Sequence, residues 1–409
     1  MILKEYDPKR DRDDVLRIYR EVGWCTSKDH GAALSSLVEA GRTMVAEIDG
    51  AAECMVTTDP GTIRHGAHDL PLAGITGVTT SRVARKRGLA GRLTARMLAE
   101  TASSGALVAV LGVFEQGYYN QLGFGNGAYE HWCTFDPSLI VSPVRPRVPV
   151  RLGHDDWEAM HANRLRRLRG HGACNIDSPE ITQADMRWAE NGFGLGFVDE
   201  HGDLTHHMWC SAKEVEHGPY EVYWMAYETK EQFLELLGLL RSFEDQVRSV
   251  ELREPPGIQF QDLLVRPFRL RQITRRSAHE NRMRSSAYWQ LRLLDLPGAL
   301  AETAVDAEPA RFNLVLSDPI ESFLDDGAPW RGVAGDYVVR IGPESRAERG
   351  TDRSLPTLSA SVNAFSRMWL GVRSATGLSW TDELSGPPDL LAQLDRILRL
   401  PTPSPDWEF

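Results

Sequence analysis

Gly74-Ile-Thr-Gly-Val-Thr-Thr-Ser-Arg-Val-Ala-Arg-Lys-Arg-Gly-Leu-Ala-Gly91 changes its hydrophobic period partway along. Gly74 to Thr80 is short, apolar and β-branched, which is the pattern of a buried strand. Arg85-Lys-Arg-Gly88-Leu-Ala90 reads as a basic loop. From Gly88 onward Leu89, Leu93 and Met97 fall on one face of a helix, with Arg92 and Arg96 turned away. A loop running into a helix start gathers unpaired backbone N–H groups at the positive end of the helix dipole. A diphosphate fits such a site. Gly88 and the small Ala90 and Gly91 let a ligand approach the backbone, and Arg85, Lys86 and Arg87 add charge around it. The plainer alternative is a basic turn before an ordinary surface helix. A dinucleotide fold fails on pattern, because the stretch has neither Gly-x-Gly-x-x-Gly nor a Gly-Lys-Ser/Thr.

The chain has 409 residues, which suggests two to four domains. Hydrophobic residues make up 42% and charged residues 25%, the balance of a soluble globular protein. No apolar run is long enough to span a bilayer, and the N-terminus lacks a signal-peptide layout, so a cytoplasmic protein with no membrane partner is expected. The five cysteines are scattered and form no Cys-x-x-Cys, so reduced thiols and no zinc site are expected. A net charge of -11 argues against nucleic acid and suits a cationic substrate.

Along the chain, 2–6 reads as a strand and 11–22 as a helix with Val15, Ile18 and Tyr19 inward, ended by Gly23. The segments 43–48 and 51–57 form a hairpin across Asp49-Gly50. After the strand–loop–helix, 107–113 is continuous and apolar, as a central parallel strand should be. The segment 114–125 is rich in turns, and Tyr118, Tyr119 and Phe124 read by themselves as packing residues. The proline-spaced stretch 143–149 marks a boundary. Beyond it a similar order of elements restarts, but strand 220–227 meets helix 230–247 with no basic glycine loop. Residues 271–286 read as a loose connector. The acid-rich stretch from Asp295 to Asp326 reads as a solvated face, and His201, His206, His207 and His217 as exposed loop histidines without ligand spacing.

Arg85-x-x-Gly88-x-Ala90 after a strand resembles the pyrophosphate signature of the GNAT acetyltransferases. With Gly117-Tyr-Tyr-Asn-Gln-Leu-Gly-Phe-Gly125, Leu291-Arg-Leu-Leu-Asp-Leu-Pro-Gly-Ala-Leu300, Gly371-Val-Arg-Ser-Ala-Thr-Gly-Leu378 and the terminal Trp-Glu-Phe, the chain is similar over nearly its whole length to the enhanced-intracellular-survival family of aminoglycoside acetyltransferases. The resemblance implies an α+β fold. It comprises an acetyl-CoA-binding domain over 1–147, a degenerate GNAT-like domain over 148–285 and a sterol-carrier-protein-like domain over 286–409. It implies splayed parallel strands, with acetyl-CoA in the wedge between them. Val78, Thr79 and Thr80 would meet the pantetheine arm; the family usually has valine where Thr80 stands. Arg85, Lys86, Arg87, Gly88, Leu89, Ala90 and Gly91 would hold the pyrophosphate, and Phe114 and Glu115 would also contact the cofactor. Tyr119 would be the general acid and the α-carboxylate of Phe409 the general base. Trp24 and Glu408 would face the substrate, although the family's substrate-facing acid has no clear match near Trp24–Asp29.

The activity implied is direct transfer of an acetyl group from acetyl-CoA to an amine of a polyamine or aminoglycoside, by a homo-oligomer that in the family is a hexamer. A base is needed because only a deprotonated amine attacks a thioester, and an acid because the departing thiolate must be neutralised. No cysteine sits in a nucleophile's setting. A protein-lysine acetyltransferase and a lipid-binding protein remain open alternatives.

Overall fold

The computed structural model describes residues 2–113, 115–267 and 275–409. The first sheet opens with β1 (Ile2–Glu5), β2 (Arg42–Ile48), β3 (Ala51–His65), β4 (His68–Thr80) and β5 (Val108–Gly112) in that spatial order. The first four are antiparallel to their neighbours, and β4 and β5 run parallel. Three helices pack on it: α1 (Pro8–Val22), α2 (Lys28–Ala40) and α3 (Leu89–Ser103). The side chain of Asp7 accepts a hydrogen bond from the backbone N–H of Lys9 at the start of α1, and Gly23 closes that helix at φ 85°. Asp49 and Gly50 both take positive φ, as a two-residue hairpin turn demands. Helix α2, unforeseen above, carries its apolar residues Ala33, Leu34, Leu37 and Val38 on the buried side.

The parallel pairing of β4 with β5 runs from Leu72 opposite Val108 to Ile75 opposite Leu111 and stops there. β4 continues to Thr80, still paired on its other side with β3. Where the split begins, Thr57 faces Gly77 and Thr58 faces Ile75, so Thr76 is an extra residue that bulges β4.

The second sheet has seven strands in the order Arg282–Ser286, Glu130–Phe135, Val250–Arg253, Tyr220–Ala226, Leu204–Ala212, Phe193–Val198 and Val150–Leu152. It repeats the split. Tyr220–Ala226 runs parallel to Val250–Arg253 only as far as Val222 opposite Leu252. One residue on, Trp209 faces Trp224 and Cys210 faces Val222, so Tyr223 bulges as Thr76 does. The third sheet has five strands, with Ala310–Ser317 central between Gly335–Ile341 and Thr357–Ser361. Phe312, Leu314, Phe365 and Trp369 fill its apolar face.

The sheets exchange strands across residues 147/148 and 285/286. Glu130–Phe135 lies in the second sheet, Cys174–Ile176 pairs with β3 of the first, and Trp289–Leu293 lines the far edge of β5. Three expectations need correction. Arg282–Ser286 is a strand against Glu130–Phe135 rather than a loose connector, while 271–274 lies outside the described residues. Asp318, within the acidic run, is buried and bonded to Arg292 at 2.6 Å, both side chains 0% exposed. His206 and His207 are inside strand Leu204–Ala212 and buried. The Nδ1–H of His207 donates to Asn163 Oδ1 at 2.7 Å and its Nε2 accepts from Trp224 Nε1 at 2.9 Å, which makes it a neutral core histidine. All five cysteines are free and buried. Among the described residues no helix is long and apolar enough to cross a membrane.

The buried histidines set an acid limit. Burial lowers His65 and His161 to about 4 and His207 to about 3, so each stays neutral in the fold. His65 stacks on Trp369 at 4.6 Å, joining the first sheet to the third. Because these folded values lie below the unfolded value near 6.5, their stability contribution is complete above pH 6.5 and is lost as pH falls from there toward 4. The loss is about 1.4 kcal/mol per pH unit per histidine. Buried carboxyls raised by burial, Asp185 to about 7 among them, act in the opposite direction and offset part of that loss. Thermal melts between pH 7 and 4.5 should show Tm falling below pH 6, with net uptake of protons on unfolding. A flat Tm over that range would contradict the neutral buried assignment.

Candidate active site

The residues after β4 fold into the turn that their glycines and charges imply. Lys86 and Gly88 both take positive φ, at 59° and 72°. Gly88 caps α3 without any side-chain hydrogen bond, so the first N–H groups of that helix are left to a ligand. A Cβ on Gly88 would meet nothing within 4 Å, so the space above the helix start is open. Arg85, Lys86 and Arg87 are exposed around it, Leu89 is buried under it, and Gly91 lies against the ring of Phe323. The second sheet's matching helix, Lys230–Arg241, begins differently. There Thr229 and Gln232 form a capping box that uses the free N–H groups internally.

Next to the loop, the split between β4 and β5 opens into a cleft of about 380 Å³. Its floor is Ile75 to Val78 on one side and Leu111 to Val113 on the other. On the β5 side of Thr76 to Thr80 no described strand pairs with β4, so backbone N–H and C=O groups there are available to an extended, amide-bearing arm. With the uncapped helix start beyond it, this is the shape and chemistry that a pantetheine arm and its diphosphate require. Thr79 is buried, and Thr80 donates from Oγ1 to Cys54 Sγ at 3.2 Å.

Five of the residues singled out by sequence line this cleft: Trp24, Val78, Tyr119, Glu408 and Phe409. Tyr119 begins a short helical turn, Tyr119–Leu122, that Gly123 ends at φ 85°. Its ring meets Tyr118 edge-on at 5.0 Å, and burial pushes its hydroxyl well above the ordinary tyrosine value. Tyr118 points elsewhere, its hydroxyl toward Gly91 at the start of α3. The Phe409 carboxylate lies against Gly112 so closely that a Cβ there would have no room, and its ring covers Gly74. Trp24 stacks on Tyr19 at 5.9 Å. Glu408 Oε1 accepts from Arg253 Nη2 at 2.7 Å. Glu115 is exposed and does not line the cleft, and Phe114 lies outside the described residues.

The opposite wall comes from the second sheet and was not foreseen. Glu130, Trp132, Glu221, Arg253 and Arg284 all face the cleft. Arg253 Nη1 lies 3.1 Å from Glu130 Oε1, close enough for an ion pair but off the line of a hydrogen bond, so that oxygen is buried without a donor. Burial raises the carboxyls of Glu130 and Glu221, and nearby Glu408 and Glu251 add to the effect. Glu130, Glu221, Glu408 and the Phe409 carboxylate thus stand against Arg253 and Arg284, an excess of negative charge. Asp59, also unforeseen, is fully buried behind the bulge and accepts from Thr76 Oγ1 at 2.7 Å. For Glu130, Glu221 and Asp59 the one sequence signal was an acid inside a strand, and Trp132, Arg253 and Arg284 carried none.

Over residues 8–127 the chain matches the family model described as an acetyltransferase (GNAT) domain. No curated protein matches it. It is similar in structure to an Enterococcus faecalis V583 protein described as a probable N-acyltransferase, at 18% identity and TM-score 0.79, over 100% of this chain and 99% of that one. A GCN5-related N-acetyltransferase from Anabaena variabilis matches at 15% identity and TM-score 0.76, over 100% of both chains. Eis1 from Mycobacterium abscessus matches at 16% identity and TM-score 0.75, again over 100% of both. At such identities the likeness extends to the fold along the whole chain. With the matched domain holding the split strands and the uncapped helix start, the chain is an acetyl-CoA-dependent acyltransferase, and residues 8–127 are its GNAT domain.

Proposed function

We propose that the enzyme acetylates an amine of a cationic small molecule, a polyamine or aminoglycoside, by direct transfer. The observation that carries this reading is the pairing of Tyr119 and the Phe409 carboxylate in one cleft whose acidic groups outnumber its basic ones. Bound acetyl-CoA supplies the activated acyl group. Val78, Thr79 and Thr80 offer backbone to its arm, and Arg85 through Gly91 hold its diphosphate. The Phe409 carboxylate takes the proton from the incoming ammonium. Tyr119, kept protonated by burial, donates to the sulfur as it leaves. Glu408, Glu130 and Glu221 hold the remaining positive charge of the substrate, with Trp24 against its rings or methylenes. Turnover with a panel of polyamines, aminoglycosides, lysine peptides and neutral amines tests this. Preference for neutral acceptors would overturn the charge argument, and preference for peptides would favour a protein-lysine acetyltransferase.

We further propose three units over 1–147, 148–285 and 286–409, which lend strands to one another's sheets, the second a GNAT-like fold that has lost its cofactor and the third sterol-carrier-like. A hexamer is proposed for the assembly, and light scattering decides it. One cofactor site per chain is expected, since among the described residues only α3 has an uncapped glycine start. Gly88→Asp brings a carboxylate to the diphosphate and should weaken CoA binding by at least about tenfold, which is ~1.4 kcal/mol. Calorimetry showing two sites, or unchanged affinity in the variant, would contradict this.

A further inference from the structure

The second split, between Tyr220–Ala226 and Val250–Arg253, is not an empty relic. Only about 40 Å³ remains open there, against about 380 Å³ in the first cleft. The residues lining that remnant include Asp406, Trp407 and Glu408. The tail of the chain therefore runs from one wedge to the other.

The contacts along it are dense. Ser404 N–H donates to His171 O at 3.1 Å, and Pro405 O accepts from Cys174 N–H at 2.8 Å. Asp406 takes φ 45°, which turns the chain. Arg167, 6% exposed, uses all five of its N–H donors here: two go to Asp406 Oδ2 and O at 2.7 and 2.8 Å, and three to Arg164 O, Asn175 Oδ1 and Cys174 O. Trp407 is buried with the Arg164 guanidinium 3.9 Å above its ring. On its other face that guanidinium meets Trp224 at 4.2 Å, and Asp185 holds it at 3.1 Å. A planar cation between two indoles, fixed by a buried carboxylate, is a rigid seat.

We propose that the second unit has turned its former cofactor wedge into a clamp for residues 403–408, with Arg167 and Arg164 as positioning residues that set where the Phe409 carboxylate stands. This rests on the reading of Phe409 as the base. It gives the degenerate unit a direct part in the reaction: it binds no acyl donor but holds the group that receives the proton. The clamp acts on geometry, so its loss should lower kcat and leave acetyl-CoA affinity alone. A displacement of about 1 Å at a reacting group can cost roughly a hundredfold in rate.

The test uses the full-length enzyme and variants on the tail, Asp406→Ala and Trp407→Ala, with Arg167→Lys as a third that keeps charge but loses the fork. Carboxypeptidase release of phenylalanine from the folded protein reads the clamp without reference to activity. Slow release from the parent and about tenfold faster release from the tail variants are expected. Their kcat should fall about a hundredfold with the KM for acetyl-CoA within about twofold. Combined with deletion of Phe409, the tail variants should add no further loss. Rapid release from the parent enzyme, or full kcat in Trp407→Ala, would overturn the clamp. Slow release combined with full activity after Phe409 is removed would keep the clamp and sink Phe409 as the base instead. Where Arg167→Lys fails to fold, the two tail variants decide alone.

Discussion

Ending the chain at Glu408, or adding residues beyond Phe409, is expected to lower kcat by about two to four orders of magnitude, the range for removing a general base. The carboxylate lies against Gly112, at the point where β5 parts from β4, and its ring covers Gly74 on the other strand. A free α-carboxylate near pKa 3.5 is a poor base in water, but beside the cofactor it has only to take a proton from an amine already held for attack. Acetyl-CoA affinity and Tm should stay near those of the parent, since neither the loop at Gly88 nor the sheet pairing is touched. Gly112→Ala offers an independent approach, because its methyl would claim the space of the carboxylate while leaving the tail intact. An enzyme carrying a C-terminal tag with undiminished turnover would end this assignment and move attention to Glu408.

Tyr119→Phe should be the second large effect, with kcat reduced by about two orders of magnitude or more and the KM for acetyl-CoA nearly constant. The phenylalanine keeps the edge contacts with Tyr118 and Phe124 that hold the ring, so the change removes a proton donor and little else. Burial keeps the Tyr119 hydroxyl protonated well past neutrality, so no loss of activity from its ionisation is expected between pH 6 and 9. Tyr118→Phe is the control, since that hydroxyl points to Gly91 at the start of α3. Full activity in Tyr119→Phe alongside loss in Tyr118→Phe would exchange their roles.

Local pattern made the first wedge readable. The switch from period 2 to 3.6 between Thr80 and Leu89, the Asp49-Gly50 turn and the continuous apolar run at 108–112 each depend on neighbours in sequence. What escaped depends on partners far away. Glu130–Phe135 reads as a strand only once Val250–Arg253 and Arg282–Ser286 are beside it. Cys174–Ile176 is three residues long and has no pattern of its own; its place against Gly61 to Ile63 comes from the fold. His206 and His207 look like loop residues because they follow a turn, whereas their strand runs through the core, where neighbouring helices and a neighbouring strand supply Asn163, Glu235 and Trp224 as partners. Glu130 and Glu221 carried no motif at all, and their role in the cleft is a product of two sheets meeting.

The strand exchange between sheets bears on how this protein can be handled and how it must form. A fragment ending near residue 147 would bare the edge of β5 that Trp289–Leu293 covers, and the stretch of β3 that Cys174–Ile176 protects. Open strand edges with apolar faces recruit other chains, so such a fragment should aggregate rather than serve as a miniature enzyme. During synthesis the first sheet must wait for a strand made long after its own helices have left the ribosome. Closing so large a loop is slow, and the half-finished sheet is the species that most needs a chaperone.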